Sequence, residues 1–167
     1  MTPARLSVAE INALDRDAFV ARFGAVYEHS PWVAEEAWAR RPFADRQALA
    51  IAMQEIVLGA GCERQLELLR AHPKLGTRLA LSGFSKSEQS GAGITAAAAA
   101  ERAELQSLNA RYEERFGFPF ILAVKGAAVP EIIASCRRRV ASDPGAEFEE
   151  ALRQVFRIAG FRLADIC

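Results

Sequence analysis

Asp143-Pro144-Gly145-Ala146-Glu147-Phe148-Glu149-Glu150-Ala151-Leu152-Arg153-Gln154-Val155-Phe156-Arg157-Ile158-Ala159-Gly160-Phe161-Arg162-Leu163 shows the periodicity of this chain in its clearest form. Phe148, Leu152, Val155 and Ala159 recur at steps of four, three and four, which lines them up on one face of an α-helix. Asp143 offers an N-cap oxygen, and Pro144 has the φ that a first helical turn needs. The next step of three lands on Arg162, so the apolar stripe runs into a guanidinium. Arginine is rarely buried without a partner. Arg162 therefore pairs with an internal carboxylate, lines a cavity for a polar ligand, or snorkels its charge to water near the chain end.

The same helical period recurs upstream. Pro130 opens a segment with Ile132, Ile133, Cys136 and Val140 inward. Before it, Phe118 to Val124 is a short apolar run broken by Pro119; no second strand candidate is available to pair with it, so it reads as a buried extended connector. Thr95 caps a long helix to about Phe116, with alanines for propensity and Leu105, Leu108, Tyr112 and Phe116 as its stripe. Ahead of that lies Ser82 to Gly93, a polar, glycine-rich loop of about a dozen residues, a length often tied to function. Nearer the N-terminus, Ser7 and Glu10 fit a capping box. Asp15 and Asp17 open a segment carrying Phe19, Phe23 and Val26 or Tyr27. Ser30-Pro31 reads as an N-cap with proline following, and Asp45 caps a helix whose inward face is Leu49, Ala52, Met53, Ile56 and Val57. Gly59 and Gly61 stop it; Cys62, Leu66 and Leu69 then share a stripe that ends before Pro73. With no long alternating pattern and no internal repeat, the sequence predicts an all-α fold of about seven or eight helices without significant sheet.

Composition narrows the class. The 167 residues predict a single domain, 1–167. Hydrophobic residues make up 51% and charged residues 25%, which excludes a disordered, collagen-like or disulfide-stapled chain. Lys plus Arg and Asp plus Glu are 21 each, so the net charge is zero and the basic excess that nucleic-acid binding needs is missing. Cys62, Cys136 and Cys167 form no C-x-x-C pair and read as free thiols, and with two distant histidines they give no zinc spacing. No apolar run approaches the ~20 residues of a membrane span, and Met1 to Arg5 lacks a signal-peptide core. The expectation is a cytoplasmic protein with no metal, no membrane and no nucleic-acid partner.

Few residues could do chemistry. His72 stands between a helix end and Pro73, where the helix dipole favours a protonated imidazole suited to proton exchange; a plain C-terminal cap is the alternative. Glu88, in the polar loop, could orient an imidazole or accept a substrate N–H, or could simply be solvated. Arg137-Arg138-Arg139 reads as a solvated helix face. Gly91-Ala92-Gly93 lacks the strand and the Lys-Ser/Thr ending of a phosphate loop, and no G-x-S-x-G elbow occurs. His29 reads as packing or capping, and Cys62 and Cys136 as core thiols.

In order along the chain come Glu28-His29-Ser30-Pro31-Trp32, Ala71-His72-Pro73-Lys74-Leu75, Ser87-Glu88-Gln89-Ser90-Gly91-Ala92-Gly93, Leu108-Asn109 with Tyr112, Phe116-Gly117-Phe118-Pro119-Phe120-Ile121, and Arg162-Leu163. This series resembles the OHCU decarboxylase family, OHCU being 2-oxo-4-hydroxy-4-carboxy-5-ureidoimidazoline, an intermediate of urate breakdown. The resemblance implies an all-helical homodimer that uses no cofactor and converts OHCU to (S)-allantoin and CO2. It places the family's catalytic histidine on His72, its glutamate on Glu88 and its late arginine on Arg162. Substrate-binding segments fall on Pro73, on Ser85, Lys86, Ser87, Glu88 and Gln89, and on Phe120, Ile121, Leu122, Ala123 and Val124. The ending Ala164-Asp165-Ile166-Cys167 is not a peroxisomal address, in keeping with the cytoplasm.

These residue types suit that reaction. Loss of CO2 leaves an electron pair on carbon, for which many decarboxylases borrow a cofactor; OHCU has an adjacent ring C=N that can take it. The protein then has to supply shape, proton control and electrostatics, and the expectation is that the imidazole, carboxylate and guanidinium converge on the substrate. Two other classes stay open: a non-catalytic helical ligand-binding or scaffold protein that keeps the pocket, and a lyase for a related ureido acid.

Overall fold

A computed structural model describes residues 4–75, 96–125 and 127–167. Among them are eight helices and no strand: α1 (Val8–Ala13), α2 (Arg16–Phe23), α3 (Trp32–Trp38), α4 (Arg46–Gly59), α5 (Cys62–Ala71), α6 (Ala96–Phe116), α7 (Val129–Val140) and α8 (Pro144–Ile166). The chain divides into two compact units. One holds the residues up to Ala71 together with Val155–Cys167, and the other holds His72–Gln154. Helix α8 contributes to both.

In the first unit the helix starts follow local chemistry. Ser7 Oγ accepts from Glu10 N while the Glu10 carboxylate accepts from Ser7 N, a complete capping box. Asp15 and Asp45 each cap the third residue onward, accepting from Ala18 N at 2.8 Å and Ala48 N at 2.7 Å. The buried face of α4 is Leu49, Ala52, Met53, Ile56 and Val57, as its period requires. Phe19 stacks near Phe23 and Phe43, and the Phe43 backbone is held in both directions by the Asn12 amide.

Four expectations here need correction. Ser30 does not cap α3: its hydroxyl donates to Glu28 O at 3.3 Å, and Pro31 takes the N-cap position without a side-chain bond. His29 neither packs nor caps a helix end: α2 stops at Phe23, and His29 is exposed, in left-handed backbone at φ 55°. Cys62 is exposed rather than core. The buried face of α5 is Gln65, Leu68 and Leu69, with Leu66 only half-buried. The reason is the tight turn at Gly61, where φ is 87°. It brings the Gln65 amide against the end of α4, where Nε2 donates to Val57 O at 3.0 Å and Leu58 O at 3.1 Å. Those carbonyls lie in the last turn of α4, where Val57 O accepts the Ala60 N–H at 3.2 Å and still has room for a second donor, so a polar residue takes the inward place.

In the second unit, Leu105, Leu108 and Tyr112 of α6 are buried and Phe116 is half-buried. Gly117, at φ 79°, turns the chain out of α6. Phe118 to Val124 then runs without regular structure, its first part buried and Leu122 to Val124 half-buried. The Tyr112 ring meets Phe116, Phe118 and Phe120 at centroid distances of 4.6, 5.8 and 5.3 Å. Asp143 Oδ2 accepts from Gly145 N and Ala146 N at the start of α8. Two expectations fail here: Arg139 is buried and does not share a solvated face with the exposed Arg137 and Arg138, and Val140 is only half-buried. A step of three from Cys136 carries the inward face onto Arg139, and a carboxylate waits for it there.

Among the described residues, no helix is long and apolar enough to cross a membrane.

Candidate active site

Arg162 belongs to the first unit. Its Nη2 donates to Glu28 Oε2 at 3.1 Å, and Nη1 donates to Val26 O at 3.0 Å and Ala25 O at 3.3 Å. The two side chains are 22% and 29% exposed, so the pair is neither solvated nor sealed. Of the alternatives open from sequence, the internal carboxylate partner is the one seen; Arg162 also borders a groove of about 250 Å³ with Arg22, Ala25, Val26, Asp165 and Ile166. The carbonyls belong to the turn after α2, whose Val26 and Tyr27 are buried and anchor it. Glu28 and two carbonyls thus fix the plane of a guanidinium that would otherwise have several rotamers.

His72 belongs to the second unit and follows directly after the last residue of α5 in the chain. It is buried at 8% exposure. Pro73 is half-buried, Leu75 is buried, and Lys74 lies outside with its Nζ 2.9 Å from Glu113 Oε2. The short segment around His72 is thus held by an apolar contact on one side and an ion pair on the other.

The connector Phe120, Ile121, Leu122, Ala123 and Val124 lies in the same unit, and α7 and α8 grip it. Arg139 Nη1 donates to Ile121 O at 2.6 Å, and Ala123 N donates to Gln154 Oε1 at 3.0 Å. Arg139 is itself held by Glu147, whose Oε1 accepts from Arg139 Nε at 2.6 Å and from the Tyr112 hydroxyl at 2.5 Å. Arg139 and Glu147 are 6% and 2% exposed, a fully desolvated ion pair. The Arg139 Cζ lies 4.6 Å from the centre of the Phe120 ring. Burial, with the Glu147 hydrogen bond, pushes the Tyr112 phenol far above its ordinary range, so the hydroxyl stays a donor. Burial also pushes the nearby Cys136 thiol up to about 11, which keeps it protonated and inert.

Glu88 and its neighbours Ser85, Lys86, Ser87 and Gln89 lie outside the described residues, as does Thr95. Sequence reasoning passed over Glu28, Tyr112, Arg139, Glu147 and Gln154 as functional residues. A signal existed for some of them. A carboxylate partner was one of the three arrangements open to Arg162, and Glu28 stands in the first motif of the resemblance. Glu147, Ala151, Gln154 and Ile158 also follow a helical period, so a charge on that stripe could be read as Arg162 was.

The fold and these contacts define a helical protein whose charged groups near the groove and connector are fixed by partners instead of left to solvent. The family model described as OHCU decarboxylase matches residues 12–164. A Haloferax volcanii protein named 2-oxo-4-hydroxy-4-carboxy-5-ureidoimidazoline decarboxylase is 45% identical over 160 residues, covering 96% of this chain and 95% of that protein. A Halalkalicoccus jeotgali protein of the same name is 41% identical over 162 residues, covering 97% and 92%. A crystal structure of (S)-allantoin synthase matches with a TM-score of 0.77 at 34% identity, covering 96% of this chain and 54% of that one. The chain belongs to the OHCU decarboxylase family.

Proposed function

We propose that this protein is a carboxy-lyase that converts OHCU to (S)-allantoin in urate degradation. The observation that carries this reading is near-full-length identity of 45% to a curated decarboxylase of that name. That residues 1–167 act as one domain is supported by a family match running from 12 to 164. A homodimer working without a cofactor completes the reading and rests on the family resemblance; a place in the cytoplasm rests on three scattered cysteines that read as free thiols.

The chemistry asks little of the protein beyond placement. When the C–CO2 bond breaks, its electron pair flows into the adjacent ring C=N, and a proton must then reach carbon from one face only. His72 bonds the substrate hydroxyl and manages the proton balance. Glu88 holds that imidazole or a ring or ureido N–H. Pro73, Ser85 to Gln89 and Phe120 to Val124 bind the substrate, the connector adding apolar cover and main-chain donors and acceptors. An Arg162 clamped on the departing carboxylate would stabilise the ground state and oppose the reaction. It serves better as an oriented donor to ring or ureido oxygens where charge builds. Its pairing with Glu28 supports that role, since the carboxylate tempers the charge while fixing the direction of the N–H groups.

The test is product chirality. Freshly made OHCU decays to racemic allantoin unaided. With the protein, circular dichroism should develop the single-signed signal of (S)-allantoin, and a racemic product would overturn the reading. His72→Asn should lose at least about 10²-fold in turnover with helix content intact. A variant with near-normal turnover removes His72 from the mechanism.

A further inference from the structure

We propose that Arg139, Glu147, Tyr112 and Gln154 form a positioning device that holds the main chain of Ile121 to Ala123 in one orientation for the substrate. The proposal rests on reading the connector as a substrate-binding segment and adds what fixes it. Outside helix and ladder, the connector satisfies its Val124 carbonyl within a turn, from Ala127 N, and leaves its other backbone groups to side chains or solvent. Two of them are met from two different helices: the Ile121 carbonyl by Arg139 of α7, and the Ala123 amide by Gln154 of α8. Leu122, between them, gives neither of its main-chain groups to these two bonds, and its N–H and C=O are the groups the device leaves for the substrate.

Neither grip can swivel. The Arg139 guanidinium donates to Glu147 Oε1 through Nε at 2.6 Å, and Phe120 lies against its face. Tyr112 donates to the same carboxylate oxygen and fixes it in turn. The Gln154 amide cannot flip, because its Nε2 donates to Glu150 Oε1 at 2.7 Å, which leaves Oε1 for Ala123. Apolar side chains of equal volume would stabilise this interior as well as a buried ion pair does. What they could not do is hold a carbonyl and an amide of an irregular segment in place, and small misplacements of a binding group are costly in rate.

Gln154→Met, close in shape but with no acceptor, tests the proposal. The melting temperature should move by a few degrees at most, while KM rises about tenfold with a smaller change in kcat. A purely structural role would lower the yield of folded protein without moving the KM of what folds. The swap Glu150→Gln with Gln154→Glu rebuilds the same bonds with donor and acceptor exchanged and should recover most of the loss. Tyr112→Phe removes a single hydroxyl and serves if Gln154→Met does not fold, with KM expected to rise about threefold. Unchanged KM in a folded variant overturns the positioning role. Hydrogen exchange at 120–124 in the native protein, with and without (S)-allantoin, tests the underlying reading separately. Slowed exchange at Leu122 supports it; no slowing anywhere in 120–124 means the connector does not bind, and the proposal falls with it.

Discussion

Arg162 and Arg139 are both arginines on the inward face of a helix, both paired with a glutamate, and they are built for different ends. Arg162 keeps 22% of its side chain exposed, borders a groove and spreads its bonds over Glu28 and two carbonyls. Arg139 is 6% exposed, shares its carboxylate with a tyrosine and faces the connector. A part-exposed pair contributes little to stability and leaves donors accessible. A desolvated pair contributes specificity, and removing one partner is severe because the other charge is stranded. Charge alone therefore does not say what an arginine does; the solvent left around it does.

Arg139→Met breaks the comparison hardest. Stranding Glu147 should cost about 3–5 kcal/mol of folding stability, read as a fall in the denaturant midpoint. The triple change Tyr112→Phe, Arg139→Met and Glu147→Leu removes the buried ion pair and the hydroxyl on it, leaves Gln154 in place, and should regain most of that loss. KM should stay raised, since nothing then holds the Ile121 carbonyl. If the single variant is as stable as the native chain, the pair is not the desolvated contact described here.

Arg162→Ala should do the reverse. Its pair is part-exposed, so stability should change by about 1 kcal/mol or less, while turnover of OHCU falls by about 10²-fold. A loss confined to kcat marks a contact made in the transition state, and a loss confined to KM marks uniform binding. Native turnover would leave Arg162 as a structural tie between α8 and the turn after α2.

Much of this was legible beforehand, and what was not fails for a definable reason. Local chemistry is written in local sequence: Ser7 with Glu10, Asp15, Asp45 and the five-residue face of α4 all stand where their patterns put them. The Arg162 stripe was equally local. The errors came where a distant partner casts the deciding vote. In α7 the step from Cys136 can land on Arg139 or Val140, about 100° apart on the helix. The period cannot choose between them; Glu147, on another helix, does. Gln65 took the inward place in α5 because its amide reaches two carbonyls in the last turn of α4. The apolar run marked the connector, but nothing local in it pointed to the side chains that hold it.

The finest distinction lies at the edge of the Arg139 network, at Glu150. Burial works to raise its carboxyl, but hydrogen bonds from Gln154 and Arg153 and the nearby charge of Arg139 outweigh that and hold it below the ordinary value of 4.5. A carboxyl lowered in the folded state binds fewer protons there than in the unfolded chain. Its contribution is therefore complete above the unfolded value and is lost as pH falls through the lowered one. Glu150→Gln keeps an oxygen for the Gln154 amide and removes only the titration. Thermal melts should show the variant slightly less stable at pH 7, with the gap closing below about pH 4.5 as the native carboxylate takes up its proton. Parallel curves across the acid range would mean that Glu150 is solvated and Gln154 is oriented by something else. Convergence would place the outer limit of the network at Glu150, one turn of α8 before the residue that holds Ala123.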